Sequence, residues 1–275
     1  MKTPDQWLRS TGDGWSSAAQ EAADHLLESY PYRHSRKDRI DLVALAGALG
    51  VRLKQRPSVS GEARLIPASG GFVVHYALPN ASGFRYRTSI AHELAHTLFY
   101  SRSYDPPRRL FAWTEREESF CFDVARKVMA PRWLLDELGF FTSMSLEASL
   151  DTLVSRVGLS HPLAGRVIFA DYKIEKGVAG RWKRKGTDTW VLERSTASAS
   201  PDLTAKSRRT LHLLAEQWLA TGTVHQDYRV TGNVSGSGRT AFVAVCKAFE
   251  DAAPSHQLSL FAAHRTRADL VPSGG

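Results

Sequence analysis

The sequence predicts an α+β protein, on three observations. Stretches with helical apolar spacing dominate the first 172 residues. Between them stand three short alternating stretches, VRLKQRP, GEARLIPA and GFVVHYAL, separated by Pro, Ser and Gly. After about residue 177 a second set of alternating stretches surrounds one helical stretch. Strands and helices in separate runs point to α+β rather than to a regular βαβ alternation.

Taken in order, SSAAQEAADHLLESY is a helix, and DRIDLVALAGALG places Ile40, Val43, Leu45 and Leu49 at helical spacing before stopping at Gly50. The three alternating stretches predict a small antiparallel sheet. RTSIAHELAH is a helix that Thr88 or Ser89 can cap. EREESFCFDVARKVMA is a second helix, ended by Pro131. SLEASLDTLVSRVG and LAGRVIFADYKIE add two more. Beyond them RWKRKGTDTWVLER predicts a hairpin turning at Lys185-Gly186, and RRTLHLLAEQWLATG a helix. DYRVTGNVSGSGRTAFVAVCKAF and HQLSLFAAH alternate as strands. The change of texture sets the expected boundary: one domain over residues 1–176 and an α+β domain over 177–275.

Composition narrows the function classes. Of 275 residues, 43% are hydrophobic and 23% charged, the balance of a globular protein. No apolar run reaches the length of a membrane span, and MKTPDQWLRSTGDGW lacks the apolar core of a signal peptide, so a cytoplasmic, membrane-free protein is expected. The two cysteines, Cys121 and Cys246, form no CxxC pair, which excludes a cysteine-rich zinc site or a disulfide framework. The net charge is +8, and the residues from 173 onward carry 15 Lys and Arg against 9 Asp and Glu. A basic C-terminal region suggests a polyanionic partner.

The chemistry concentrates in HELAH. His92 and His96 lie four apart, so a helix brings both imidazoles to one face. Two imidazoles so placed can share a Zn²⁺, and Glu93, one position around, stands where a general base takes a proton from the attacking water. Ile90, Leu94 and Leu98 form an apolar row that anchors the helix. Random placement of the chain's 10 His and 13 Glu would yield only about 0.02 HExxH matches.

A catalytic zinc needs a third protein ligand. Glu115, Glu117 and Glu118 cluster at the start of the second helix, where carboxylates also suit the helix dipole. Glu118 shares a face with Cys121, Phe122 and Ala125, the side expected to turn inward.

RTSIAHELAH followed by Glu118-SFC-FDVARKVMA-Pro131 resembles the ImmA/IrrE family of metallopeptidases, which shows a "tiAHElaH" helix and then an "E-x-x-C/A-x-x-FA-x-x-LL-x-P" helix. Glu118, Cys121, Val124-Ala125, Val128-Met129 and Pro131 occupy the places of the second pattern. Val124 departs from the usual Phe, and Ala130 precedes the proline. The resemblance covers about residues 36 to 172. It implies a zincin-like, mainly helical core with a small sheet. In that core His92 and His96 are zinc ligands, Glu93 the general base and Glu118 the third ligand, with Glu117 the runner-up. The implied activity is a zinc endopeptidase of narrow specificity that cleaves a helix-turn-helix repressor, releasing a stress, DNA-damage or phage-defence response. Tyr100, His75 and Arg87 are candidate donors to the oxyanion.

The C-terminal region resembles, more weakly, the GAF-like sensor domains of the IrrE branch. Relatives of similar layout in phage-defence operons imply activation by single-stranded DNA. RWKRK at 181–185 and KSRR at 206–209 suit a phosphate backbone, and Trp182 and Trp190 are candidates for base stacking, against the alternative that both are core residues. A homodimer through this region is a further expectation. Cys121 is either a thiolate able to hold the metal's open position or a small buried hydrophobe. QLSLF at 257–261 matches a sliding-clamp-binding pentapeptide but also alternates as a buried strand. From another class stands a nonenzymatic DNA-binding regulator in which HELAH holds a structural metal or none. A deformylase-like hydrolase is the third reading.

Overall fold

The computed structural model describes residues 3–31, 38–57, 63–77, 85–140, 146–171, 177–185, 189–197, 205–223, 228–234 and 240–247. The HQLSLFAAH stretch and its QLSLF pentapeptide lie outside them.

The fold is α+β. It begins with α1 (Pro4–Arg9), α2 (Asp13–Glu28) and α3 (Leu42–Ala48), then β1 (Val51–Gln55), β2 (Ala63–Ala68) and β3 (Gly71–Tyr76). The HELAH helix is α4 (Arg85–His96), which tightens into a 3₁₀ turn over Thr97–Phe99. A two-residue ribbon, β4 (Tyr100–Ser101) with β5 (Arg108–Arg109), leads to α5 (Glu115–Met129). Then come α6 (Arg132–Glu137), α7 (Leu146–Asp151) and α8 (His161–Arg166). The last two each run on into a π turn, Thr152–Arg156 and Val167–Asp171. The C-terminal part holds β6 (Gly177–Lys185), β7 (Thr189–Ala197), α9 (Ala205–Thr221), β8 (Tyr228–Val234) and β9 (Thr240–Lys247). Among the described residues, no helix is long and apolar enough to cross a membrane.

Side chains close the starts of two helices, and the HELAH helix begins earlier than expected. Asp41 caps α3, its carboxylate accepting from the N–H groups of Val43 and Ala44. Thr114 caps α5 by accepting from Glu117 N–H over 3.1 Å. The HELAH helix, however, starts at Arg85, so Thr88 and Ser89 sit inside its first turns and do not cap it. The added first turn carries Tyr86, stacked on Tyr76, and Arg87, which donates to the Ile40 carbonyl, so it is held by tertiary contacts and not by a cap.

The small sheet is mixed rather than purely antiparallel. β2 and β3 form the expected hairpin, but β1 runs parallel to β3 on its other side, giving the order β1-β3-β2. The cause is burial. Phe72, Val73 and Val74 are all buried, so β3 takes the centre, whereas β1 buries only Val51 and keeps Lys54 and Gln55 exposed at an edge. Gly71 has φ 132°, and a Cβ there would meet the Gly50 carbonyl oxygen at 2.4 Å, so this tight approach of β3 to the end of α3 needs glycine.

The main core lies between α2, α4 and α5. Ala18, Ala19, Ala22 and Ala23 of α2 face Phe120, Val124 and Val128 of α5, with Ala91 and Leu94 of α4 in the same cluster. Small residues on α2 let the helices approach closely.

In the second sheet, order β7-β6-β9-β8, one face joins this core through Ala179, Phe242 and Ala244. The other face packs Val178, Trp182, Val243 and Val245 against Leu211, Ala215 and Leu219 of α9. β6 and β7 pair antiparallel and α9 follows, as the sequence predicts; the turn expected at Lys185-Gly186 lies beyond Lys185, outside the described residues.

Candidate metal centre

α4 and α5 lie side by side, and the seam between them carries the polar cluster. His92 and His96 are buried at 5% and 7% exposure, on one face of α4 as their spacing requires. Their Nε2 atoms stand 3.1 Å apart. From α5, Glu118 reaches both: its Oε2 lies 3.0 Å from His92 Nε2 and its Oε1 3.2 Å from His96 Nε2. Three donor groups from two helices therefore converge on one point.

These distances test whether a metal fits. Four donors held tetrahedrally at Zn–N lengths stand roughly 3.3 Å apart. The observed separations of 3.0 to 3.2 Å are hydrogen-bond lengths that also come within a few tenths of an ångström of that spacing. Two imidazoles and a carboxylate are also a chemically suitable donor set for a divalent metal. His92, His96 and Glu118 can hold a metal ion.

Electrostatics agree. Burial, followed by the charge of neighbouring His96, lowers the His92 imidazole to about 4, which keeps it neutral and able to ligate near neutrality. At Glu118 burial pushes upward. The Trp113 indole hydrogen bond and the charges of His96 and His92 outweigh it, and the net shift is downward.

Glu93 stands beside the ligands, half-buried. Its Oε2 accepts the backbone N–H of Leu65 in β2 over 2.6 Å. Burial raises its carboxyl, while the charge of His96 and the Leu65 bond oppose the shift in part. In an antiparallel strand a residue's N–H and C=O point to the same side. Leu65 donates away from β3, so its carbonyl also faces the outer edge of β2, which pairs with no strand among the described residues. Pro67, two residues on, points the same way, where its missing N–H costs no ladder bond.

The other carboxylates divide cleanly. Glu115 is exposed in the first turn of α5. Glu117 is fully buried and belongs to the far side of His96: its Oε1 lies 2.8 Å from His96 Nδ1, and its Oε2 pairs with Arg109. It is thus behind the ligand rather than beside Glu118. Cys121 is fully buried, with Sγ 3.5 Å from the same Nδ1. Burial, then the charges of Glu117, Glu118 and Glu93, raise its thiol well above the usual range. It packs as a neutral thiol on the side of His96 turned away from His92. His96, Glu117 and Cys121 form a second group of close donor atoms, but Arg109 already neutralises the carboxylate there.

Three neighbours had no motif to announce them. The Trp113 indole N–H donates to Glu118 Oε1 over 2.7 Å. Arg109, on the ribbon, holds Glu117. Phe122 is 49% exposed, its ring centroid 4.0 Å from that of His92, so it borders the cluster instead of turning inward as its helix position suggested. Its place four residues after Glu118 was the available signal. Of the candidate oxyanion donors, Arg87 is committed to the Ile40 carbonyl at 2.7 Å, and Tyr100 packs edge-on to Phe72. His75 lies in β3 between Lys54 of β1 and Arg64 of β2.

Away from this cluster, Trp182 is fully buried under α9 and is a core residue, unavailable for stacking on a base. Trp190 is half-buried, with the Arg184 guanidinium 6.0 Å from its ring.

The chain is thus an α+β protein whose two central helices bring together a buried His–His–Glu group able to hold a metal ion. No family model and no curated protein matches it. Among solved structures it is similar to a Mycobacterium tuberculosis transcriptional regulator at 13% identity and a TM-score of 0.49, over 84% of this chain and 76% of that one.

Proposed function

We propose that this chain is a zinc-dependent endopeptidase of narrow specificity, of the ImmA/IrrE kind that its motifs resemble, with a helix-turn-helix repressor as substrate. The observation that carries the reading is the convergence of His92, His96 and Glu118 within 3.0 to 3.2 Å, with Glu93 on the same helix beside them. A structural metal site closes its coordination sphere with four protein ligands; three ligands and an adjacent carboxylate suit a hydrolytic one.

His92, His96 and Glu118 would hold a zinc ion, which would supply Lewis-acid chemistry there. The chain's own residues do the rest. Glu93 fixes its Oε2 on the Leu65 N–H, which leaves Oε1 to accept the proton of the attacking water and pass it to the leaving amine. The edge of β2 beside Glu93 offers the Leu65 carbonyl, its N–H being taken by Glu93, and an extended substrate segment would donate a backbone N–H there. Phe122 and Trp113, both exposed, border the same place with apolar surface.

The basic C-terminal region supports a regulatory part of the proposal. Lys183, Lys185, Arg208 and Arg209 are exposed around the β6–β7 hairpin and the start of α9, so a polyanion such as single-stranded DNA is the activating ligand they would suit. The same side chains favour the second reading, a nonenzymatic DNA-binding regulator.

The test is cleavage of the helix-turn-helix protein encoded beside this chain, by wild type and Glu93→Gln, with and without single-stranded DNA, zinc content being measured on both. Cleavage by wild type alone, with zinc in both proteins, supports the peptidase. No cleavage by either, with DNA still bound, overturns it in favour of the regulator.

A further inference from the structure

The two histidines of the cluster are oriented by different physics. His92 has a buried Nδ1 with no hydrogen-bond partner among the described residues, and its ring lies against Phe122. Behind the ring, packing sets its plane, and only its Nε2 meets polar partners, Glu118 and His96. His96 is held by a bond: Glu117, fully buried, sets Oε1 2.8 Å from His96 Nδ1.

Glu117 is not left as a lone buried charge. Its other oxygen pairs with Arg109, whose Nε donates in turn to the Phe111 carbonyl over 3.1 Å. A buried carboxylate survives only when paired and hydrogen-bonded, and this one has a guanidinium on one oxygen and an imidazole on the other. As a carboxylate it offers lone pairs only, so the atom facing it must bring the proton. His96 therefore carries hydrogen on Nδ1, and its bare Nε2 lone pair points at His92 and Glu118.

We infer that Glu117 and Arg109 are the positioning pair of the metal centre: they fix His96 as the Nδ1–H tautomer and aim Nε2 at the ion. The inference rests on the metal-centre reading above and deepens it. Glu117 and Glu118, adjacent in sequence, then serve opposite ends of one imidazole. Glu118 approaches Nε2 from the ligand side and Glu117 grips Nδ1 from behind, which successive positions of α5 allow because they point about 100° apart around the helix. Carboxylates that receive the second N–H of a ligating histidine orient the ring and raise its basicity, and their loss typically costs 10- to 100-fold in metal affinity. An ion pair that merely closed the start of α5 would leave affinity untouched.

The experiment measures Zn²⁺ affinity by chelator competition on folded wild type, Glu117→Gln and His96→Ala, with helix content followed by circular dichroism. Glu117→Gln is expected to keep the fold and weaken zinc binding about 10- to 100-fold. Wild-type affinity in folded Glu117→Gln overturns the inference but not the metal centre. Equal affinity of wild type and His96→Ala overturns the metal centre itself. Should Glu117→Gln not fold, histidine ¹⁵N spectra of the metal-free wild type decide the matter. A His96 signal of the Nδ1–H tautomer sustains the positioning role, and one of the Nε2–H tautomer overturns it.

Discussion

Leu65 donates its backbone N–H to Glu93 over 2.6 Å, and this single bond ties the edge of the small sheet to the HELAH helix. It does two things at once. It orients the carboxylate proposed as the base, and it reports that the outer side of β2 faces the metal cluster. Substrate backbone and proton acceptor would thereby share one frame.

Replacing Glu93 by Gln keeps an oxygen that can accept from Leu65 but removes the proton acceptor. Cleavage of the repressor substrate should fall roughly 10²- to 10⁴-fold. Zinc bound per chain, measured by mass spectrometry of the metal, should stay unchanged.

Trp113→Phe keeps an aromatic ring at the border of the site and deletes the 2.7 Å bond to Glu118. Zinc affinity should drop about tenfold, as for loss of an outer hydrogen bond to a ligand. Because Trp113 is 53% exposed, the midpoint of thermal unfolding in the metal-free protein should barely move.

Gly165 of α8 sits directly on the second sheet. A Cβ there would meet the Ala179 Cβ at 2.7 Å and the Phe242 ring at 3.0 Å. Gly165→Ala should destabilise by about 1–3 kcal/mol through overpacking, despite alanine's better helix propensity. Urea unfolding of the two proteins checks this.

His161 lies near the Phe242 ring, and burial lowers its imidazole below 6.5. The unfolded chain then binds the proton more readily than the folded one. Stability is therefore fully present above about pH 6.5 and declines as pH falls through the lowered folded value. His161→Gln should flatten the pH dependence of the urea midpoint between pH 7 and 5 relative to wild type.

Much of the local structure is legible in the chain. α2, α3, α5 and α9 arise from apolar spacing with stop signals, such as Gly50 after α3 and Pro131 after α5. The histidine pair follows equally from spacing: i, i+4 on a helix places His92 and His96 together without any tertiary information. Glu118 needed more, since three glutamates stand at the start of α5 and only packing separates them. Thr88 and Ser89 illustrate the opposite failure. Both have the chemistry of a cap, yet the helix begins before them, where Tyr86 stacks on Tyr76 and Arg87 reaches the Ile40 carbonyl. The parallel pairing of β1 was likewise hidden, since alternation reports which face is buried and says nothing of which neighbour a strand takes.

The sequence by itself determined the α+β class, the helix carrying HELAH, and the residue types able to bind a metal, because these depend on periodicity within a few turns. Tertiary structure alone decided that Glu118 meets both Nε2 atoms while Glu117 turns to Nδ1 and Arg109. It also decided that Trp182 is core, and that the outer edge of β2 faces Glu93. Those outcomes depend on the rotation of α5 about its axis against α4 and on which strand is most apolar. Both are fixed by burial summed over elements distant in the chain, and no local window contains that sum.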